Sequence, residues 1–285
     1  MDASTLTIAA FGAATIGAML VARRAVVLAM SGKDRDKRAL AGDNRARALR
    51  EAGDVLAIFL LGAGVTKNCV HGESVAADAT WVAVFAALGI VLLEVTGQLG
   101  LMLLFNRRLG SAIDKGNVAA GVAAACHYVA MGLITASAVA GTDLHGLWLS
   151  VVFFALGLVV HQGVVGLFRF LTTYDDAEQI EGENAAAAIS YGGVSLAVAV
   201  VIARALEGDF TGWGAALAGF FALCAGTLAL YPVRQLVVQG LVLGARPTIR
   251  GGAIDLAVGR DRNTSVAALE AASFVALALA IAMLA

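Results

Sequence analysis

Proline, cysteine and charge are all scarce in this chain. Two prolines in 285 residues leave long stretches without the residue that breaks helices. The three cysteines, Cys69, Cys126 and Cys224, are too few and too odd a set for a disulfide framework. Cys126 and Cys224 lie in apolar stretches, where cysteine acts as a small hydrophobe. Charged residues make up only 14% of the chain and the net charge is −1, which excludes a global attraction to nucleic acid. No nucleic-acid module is visible. His-Glu-x-x-His, a Walker loop, Gly-x-Ser-x-Gly and cysteine–histidine zinc spacings are also missing. The sequence therefore indicates no enzyme and no cofactor.

Apolar residues are what the chain has in abundance. They form 60% of it, and the mean hydropathy is +0.84. They fall in blocks of about 20, the length that crosses ~30 Å of hydrocarbon. Alanine and leucine dominate and no ten-residue alternating segments occur, which argues against strands. The expected fold is all-α: a polytopic membrane protein, one domain over 1–285, with eight helices near 5–28, 44–66, 79–105, 117–140, 146–171, 184–206, 211–243 and 263–284. The first block follows Asp2 and precedes Arg23 and Arg24, the reverse of a cleavable signal peptide, so it reads as a retained span.

Lysine and arginine set the expected orientation. With eight spans, all of these residues except Lys67 and Arg204 fall at the connections and helix ends of one side. That side is the cytoplasm by the positive-inside rule, which places both termini outside it.

The chain also repeats. Asp43-Asn44, Asp114-Lys115-Gly116-Asn117, Glu181-Gly182-Glu183-Asn184 and Asp261-Arg262-Asn263 each open an alanine-rich span. Thirty-six residues separate Trp81 from Asn117, and the same number separate Trp148 from Asn184. The last copy carries an insertion near Ala245–Gly259. Four hairpin units follow, about 5–66, 79–140, 146–206 and 211–284. Parallel copies can pack around an axis along the membrane normal or simply form a compact bundle. The asparagines read first as helix N-caps, and alternatively as a vestibule of helix N-termini for an ion.

The run acid-x-x-Asn117-Val118-Ala119-Ala120-Gly121, echoed at Glu181–Ala188 and Asp261–Ala268, resembles the YjfL-like bacterial inner-membrane proteins, catalogued as a domain of unknown function. The first copy, with Arg45, Arg47 and Arg50 after Asn44, departs from that pattern. The resemblance implies a bacterial inner-membrane location and an extended, multi-hairpin member. It implies no substrate and no catalytic residue.

Ionisable residues at membrane depth are the candidate site. Counting helical rise from the tryptophans and asparagines puts Glu94, His127, His161 and Glu270 in one layer of the inner half of the bilayer. Glu51 and Asp54 lie nearer the cytoplasmic mouth, with Arg47–Glu51 and Arg50–Asp54 spaced as i, i+4 pairs. Gln98 shares a face with Glu94, and Gln239 shares one with Gln235. A proton relay or cation site is one reading of this layer. A buried polar cluster that holds helices together is the other.

Outside the spans, the acidic connection Asp175, Asp176, Glu178, Glu181 and Glu183 reads as a solvated turn, and secondarily as a gatherer of Mg²⁺, Ca²⁺ or polyamines. The basic run at 31–38 suits an anchor, anionic lipid or a cytoplasmic partner. Pro232 is expected to kink the seventh helix beside Tyr231 and Arg234. The favoured function is a channel or transporter for protons or a small cation such as a polyamine. The alternative is a non-transporting scaffold or stress-response partner that docks lipids or cytoplasmic proteins. Small-residue faces permit a homo-oligomer.

Overall fold

The computed structural model describes residues 3–31, 42, 44–72, 74–105 and 109–285. The basic run after Ser31 and Asp43 lie outside the described residues. Among those described, the chain is helical with no strand. The helices are α1 (Ala3–Ser31), α2 (Arg45–Cys69), α3 (Val75–Leu104), the short α4 (Leu109–Asp114), α5 (Val118–Ala138), α6 (Leu144–Leu171), the short α7 (Asp176–Glu181) and α8 (Ala185–Ala205). Next come α9 (Trp213–Cys224), α10 (Leu230–Val233), α11 (Ala253–Asp255) and α12 (Thr264–Leu284).

Among the described residues, seven helical segments are long and apolar enough to cross a membrane. The eighth long helix, α2, is not among them. Arg45, Arg47, Arg50, Glu51 and Asp54 crowd its first turns and lower its hydropathy. The seventh segment is a composite: α9 passes through a 3-10 stretch (Ala225–Ala229) and α10 into a π-helical stretch (Arg234–Val242). The ladder changes register on both sides of Pro232, which supplies no N–H.

The asparagine motifs have a local cause that the structure bears out. The Oδ1 of Asn44 accepts from the N–H of Arg47 at 3.0 Å, and that of Asn117 from Ala120 at 3.0 Å. Asn184 caps through Ala186 and Ala187, and Asn263 through Ser265 and Val266. Each supplies an acceptor to otherwise orphan N–H groups at a helix start.

The capped helices then pack side by side in the order α2, α5, α8, α12. They do not close around an axis. α1, α3, α6 and α9 lie against this row, α3 on both α2 and α5, and α6 on both α5 and α8. Small residues set the close approach inside the row. A Cβ on Gly132 would come within 2.6 Å of the Cα of Ala57, and one on Gly121 within 2.5 Å of the carbonyl of Ala46. We expect Gly132→Ala to force α2 and α5 apart and to cost about 1–3 kcal/mol of stability, the range for overpacking a filled core. Thermal unfolding in detergent checks this, with Gly163→Ala, where no atom lies within 4 Å, as the neutral reference.

The same asparagines tie successive units together. The Nδ2 of Asn44 donates to the carbonyl of Ile113 at 2.9 Å, that of Asn117 to Ile180 at 2.8 Å, and that of Asn184 to Val258 at 2.8 Å. Each acceptor lies in the turn just ahead of the next asparagine. One side chain thus caps its own helix and holds the following one in register.

Candidate functional site

Polar side chains in the row cluster between six and eleven residues beyond the capping asparagines, ~9–17 Å along the helix. They form three groups across the bundle, not one.

The first group joins α1, α2 and α3. The guanidinium of Arg23 pairs with Glu51 and Asp54, its Nε donating to Asp54 Oδ2 at 2.6 Å. Glu94 Oε1 stands 3.9 Å from the same Nε. Arg50 donates to the hydroxyl of Tyr128 at 3.1 Å and lies over its ring. Arg47 reaches Asp114 at 2.8 Å. The expected i, i+4 pairing along α2 is therefore corrected. Its acids meet Arg23 on α1, Arg47 and Arg50 reach Asp114 and Tyr128, and within α2 Arg50 stands 3.7 Å from its chain neighbour Glu51.

The second group is a histidine pair between α5 and α6. His127 and His161 are fully buried, with ring centroids 6.0 Å apart. Nδ1 of His127 is 3.3 Å from the Tyr191 hydroxyl, and Nε2 of His161 is 3.2 Å from Ser195 Oγ. The opposite ring nitrogens, His127 Nε2 and His161 Nδ1, have no protein partner. Gly100 leaves room for the first ring, since a Cβ there would lie 2.5 Å from His127 Nε2.

The third group centres on Arg234, which is 2% exposed. Its Nε pairs with Glu270 on α12, and its Nη2 with Asp255 on α11. Glu270 also accepts from Ser190 Oγ at 2.6 Å. Asp255 accepts from the N–H of Thr173 at 2.6 Å and from its hydroxyl at 3.0 Å. One guanidinium serves two carboxylates, so the trio carries a net negative charge when all are ionised. Beside it lies a cavity of about 20 Å³, enough for about one water. Arg234, Glu270, Ser190, Tyr174 and Asp176 line it, and Arg234 Nη1 and the Tyr174 hydroxyl are buried without a partner. A wider depression of about 420 Å³ on the capped side shares Arg169, Thr172, Tyr174 and Asp176 with it.

The insertion builds this third group. Gln239 donates to the carbonyl of Arg246 at 2.7 Å, and Gln235 accepts from the N–H of Thr248 at 3.1 Å. Gly252, at φ 111°, fits against the Gln239 amide, where a Cβ would collide. The two glutamines read as one polar face thus fold the insertion back onto the bundle and bring Asp255 to Arg234. The acidic connection is only partly a solvated turn. Glu178, Glu181 and Glu183 are exposed, but Asp176 is buried, with its Oδ2 3.5 Å from Arg169 Nε. Burial pushes the Asp176 carboxyl up to about 7, against the opposing pull of Arg169. Among the described residues no three His, Cys, Asp or Glu side chains converge as a metal site.

The structure thus brings together Glu51, Asp54 and Glu94 around one arginine, and His127 with His161, and sets Glu270 apart in its own trio. Glu94 and His161, though equivalent in the repeat, have unlike surroundings. In the sequence Arg23 reads as a charge that follows the first apolar block and Arg234 as the neighbour of a kink. Their signal was present, because an arginine inside an apolar segment needs a counter-charge.

This architecture defines a multi-pass helical membrane protein with an internal repeat. A family model described as Domain of Unknown Function (DUF350) matches it twice, over residues 1–139 and 142–285. The chain belongs to that family, with two copies of its domain in tandem. No curated protein and no solved structure matches the chain.

Proposed function

We propose that this protein is a channel or transporter that moves protons or a small cation, with the Arg234–Asp255–Glu270 trio as the exchanging site. All eight long helices span the membrane as four hairpins on this reading. The charged start of α2 is admitted because its acids meet Arg23 inside the protein. The capped side is the cytoplasm. Arg45, Lys115, Arg169, Arg246, Arg250, Arg260 and Arg262 gather there, and Lys67 and Arg204 lie opposite, where both meet Glu207. The resemblance to YjfL-like proteins supports a bacterial inner membrane.

The observation that carries the reading is the trio itself. A buried pair of carboxylates with one arginine is neutral only after it takes up a proton or a monovalent cation. Asp176 lines both the water-sized cavity beside the trio and the depression on the capped side. His127 and His161 would pass or sense protons at the same level.

The scaffold alternative has one observation in its favour. Beyond the polar groups, Leu61, Met131, Ile134, Val198 and Ile202 are almost fully buried, an apolar seal toward the opposite side. A transporter meets that seal by alternating access, whereas a scaffold leaves it shut.

The test is flux into liposomes holding purified protein, driven by H⁺, K⁺, Mg²⁺ or polyamine gradients. Wild type is expected to dissipate the pH gradient or a cation gradient. Glu270→Gln and His161→Ala, shown folded by circular dichroism, are expected to slow it about tenfold or more. Absence of all flux from folded wild type sinks the transport reading and turns the search to cytoplasmic partners by pull-down.

A further inference from the structure

The row of capped helices is built by one contact used repeatedly, and both of its ends are open among the described residues. Counted from the capping asparagine, the ninth residue of each helix meets the eighth of the next. Gly53 lies on Ala125, Cys126 on Gly192, and Gly193 on Ala271. Between α2 and α5 the same face adds Ala46 on Gly121, Ala57 on Gly132 and Gly64 on Ala136.

At the α12 end, the positions that would meet a following helix are Ser265, Ala272, Ala276 and Met283, and all four are exposed. At the α2 end, the positions that would receive a preceding helix are Ala48, Ala52, Phe59 and Ala63, also all exposed. These residues are small or apolar, as the internal interfaces require. Two further observations point the same way. The amides of Asn44, Asn117 and Asn184 each bond the turn of the next unit. Asn263 caps its own helix, but its Nδ2 has no acceptor among the described residues. Between α1 and α2 runs an apolar groove of about 790 Å³, lined by Ile8, Gly12, Ile16, Phe59, Ala63 and Thr66. Inside the chain the corresponding cleft, between α3 and α5, is filled by α2.

We propose that a second copy of this chain supplies the missing neighbour: α12 of one copy packs on α2 of the next, in the groove beside α1, and continues the row head to tail. Every capped helix runs in the same direction, so the joined copies keep one orientation in the membrane. The contact is heterologous, so successive copies close into a ring if the rotation permits or extend as a chain.

Disulfide trapping in membranes tests this. In a background with Cys69, Cys126 and Cys224 replaced by alanine, one tagged copy carries Ala52→Cys and a second, differently tagged copy carries Ala272→Cys. Oxidation with copper phenanthroline is expected to give a mixed dimer, and neither variant alone should give one. A chain carrying both cysteines should give a ladder or a single closed oligomer. Positions 52 and 272 lie at opposite ends of the row, so a bond within one chain does not compete. Light scattering in detergent gives an independent readout. Wild type should exceed the monomer mass, and Ala272→Trp should reduce it to one chain. Failure of the mixed pair to cross-link in protein that remains monodisperse would overturn the proposal and leave the groove to lipid. Dimers from either single variant alone would overturn it too, in favour of a two-fold contact.

Discussion

Arg234→Ala is expected to destabilise the protein by about 3–5 kcal/mol, the cost of stripping the partner from buried charges. The substitution leaves Glu270 and Asp255 facing each other's charge inside the bundle, with Ser190 and Thr173 as their remaining donors. It also removes the charged contact between α11 and the π-helical stretch, so that the insertion is held there by Gln235 and Gln239 alone. Arg234→Lys should recover only part of the loss, since one ammonium does not reproduce a guanidinium that reaches two carboxylates at once. Removing all three charges, with Arg234→Met, Asp255→Asn and Glu270→Gln together, should recover most of it, because a well-packed neutral replacement spares the desolvation of every ion. Thermal unfolding in detergent reads the series. A triple variant no better than Arg234→Ala would mean that the arginine acts through its packing on Tyr231 and not through its charge.

How far the sequence disclosed this arrangement depends on the range of each interaction. The N-caps were legible because the Oδ1 of an asparagine bonds N–H groups two or three residues ahead, which is a local event. The second bond of the same side chain was not legible. It joins Asn117 to Ile180, and only packing places those turns side by side. The height of each polar residue along its own helix followed from helical rise. Their grouping did not, because rise fixes height along an axis and says nothing of the direction a side chain takes around it. Glu94 and His161 share a height and a repeat position, yet one faces Arg23 and the other faces His127. The charges of α2 were misread for a related reason. Spacing of i, i+4 permits a pair, but a guanidinium on a neighbouring helix that would otherwise be buried alone is the stronger partner.

Asp176 shows the same limit in the connection after α6. In sequence it is one acid among five in a polar connection, and the natural expectation is solvent. The fold instead covers it, and it lines both the depression open to the capped side and the cavity beside Arg234. Burial raises its carboxyl to about 7, above the ~3.9 of an unfolded aspartate. The native state therefore favours the protonated form. Its contribution to stability is fully present below about pH 4 and is lost as the pH rises through about 7, because over that window the folded chain binds the extra proton. Asp176→Asn keeps the neutral shape at every pH. It should match wild type at about pH 4 and exceed it at about pH 8 by on the order of 2–4 kcal/mol, read as a difference in unfolding temperature that grows with pH. Parallel curves for the two proteins would mean that Arg169 keeps the carboxyl ionised throughout. The result bears on function, because a group that exchanges its proton near neutral pH between an open depression and a buried, negatively charged trio is what proton entry from the capped side needs. Asn at this position should then slow any proton flux while leaving the protein more stable, a combination that loss of folding does not produce.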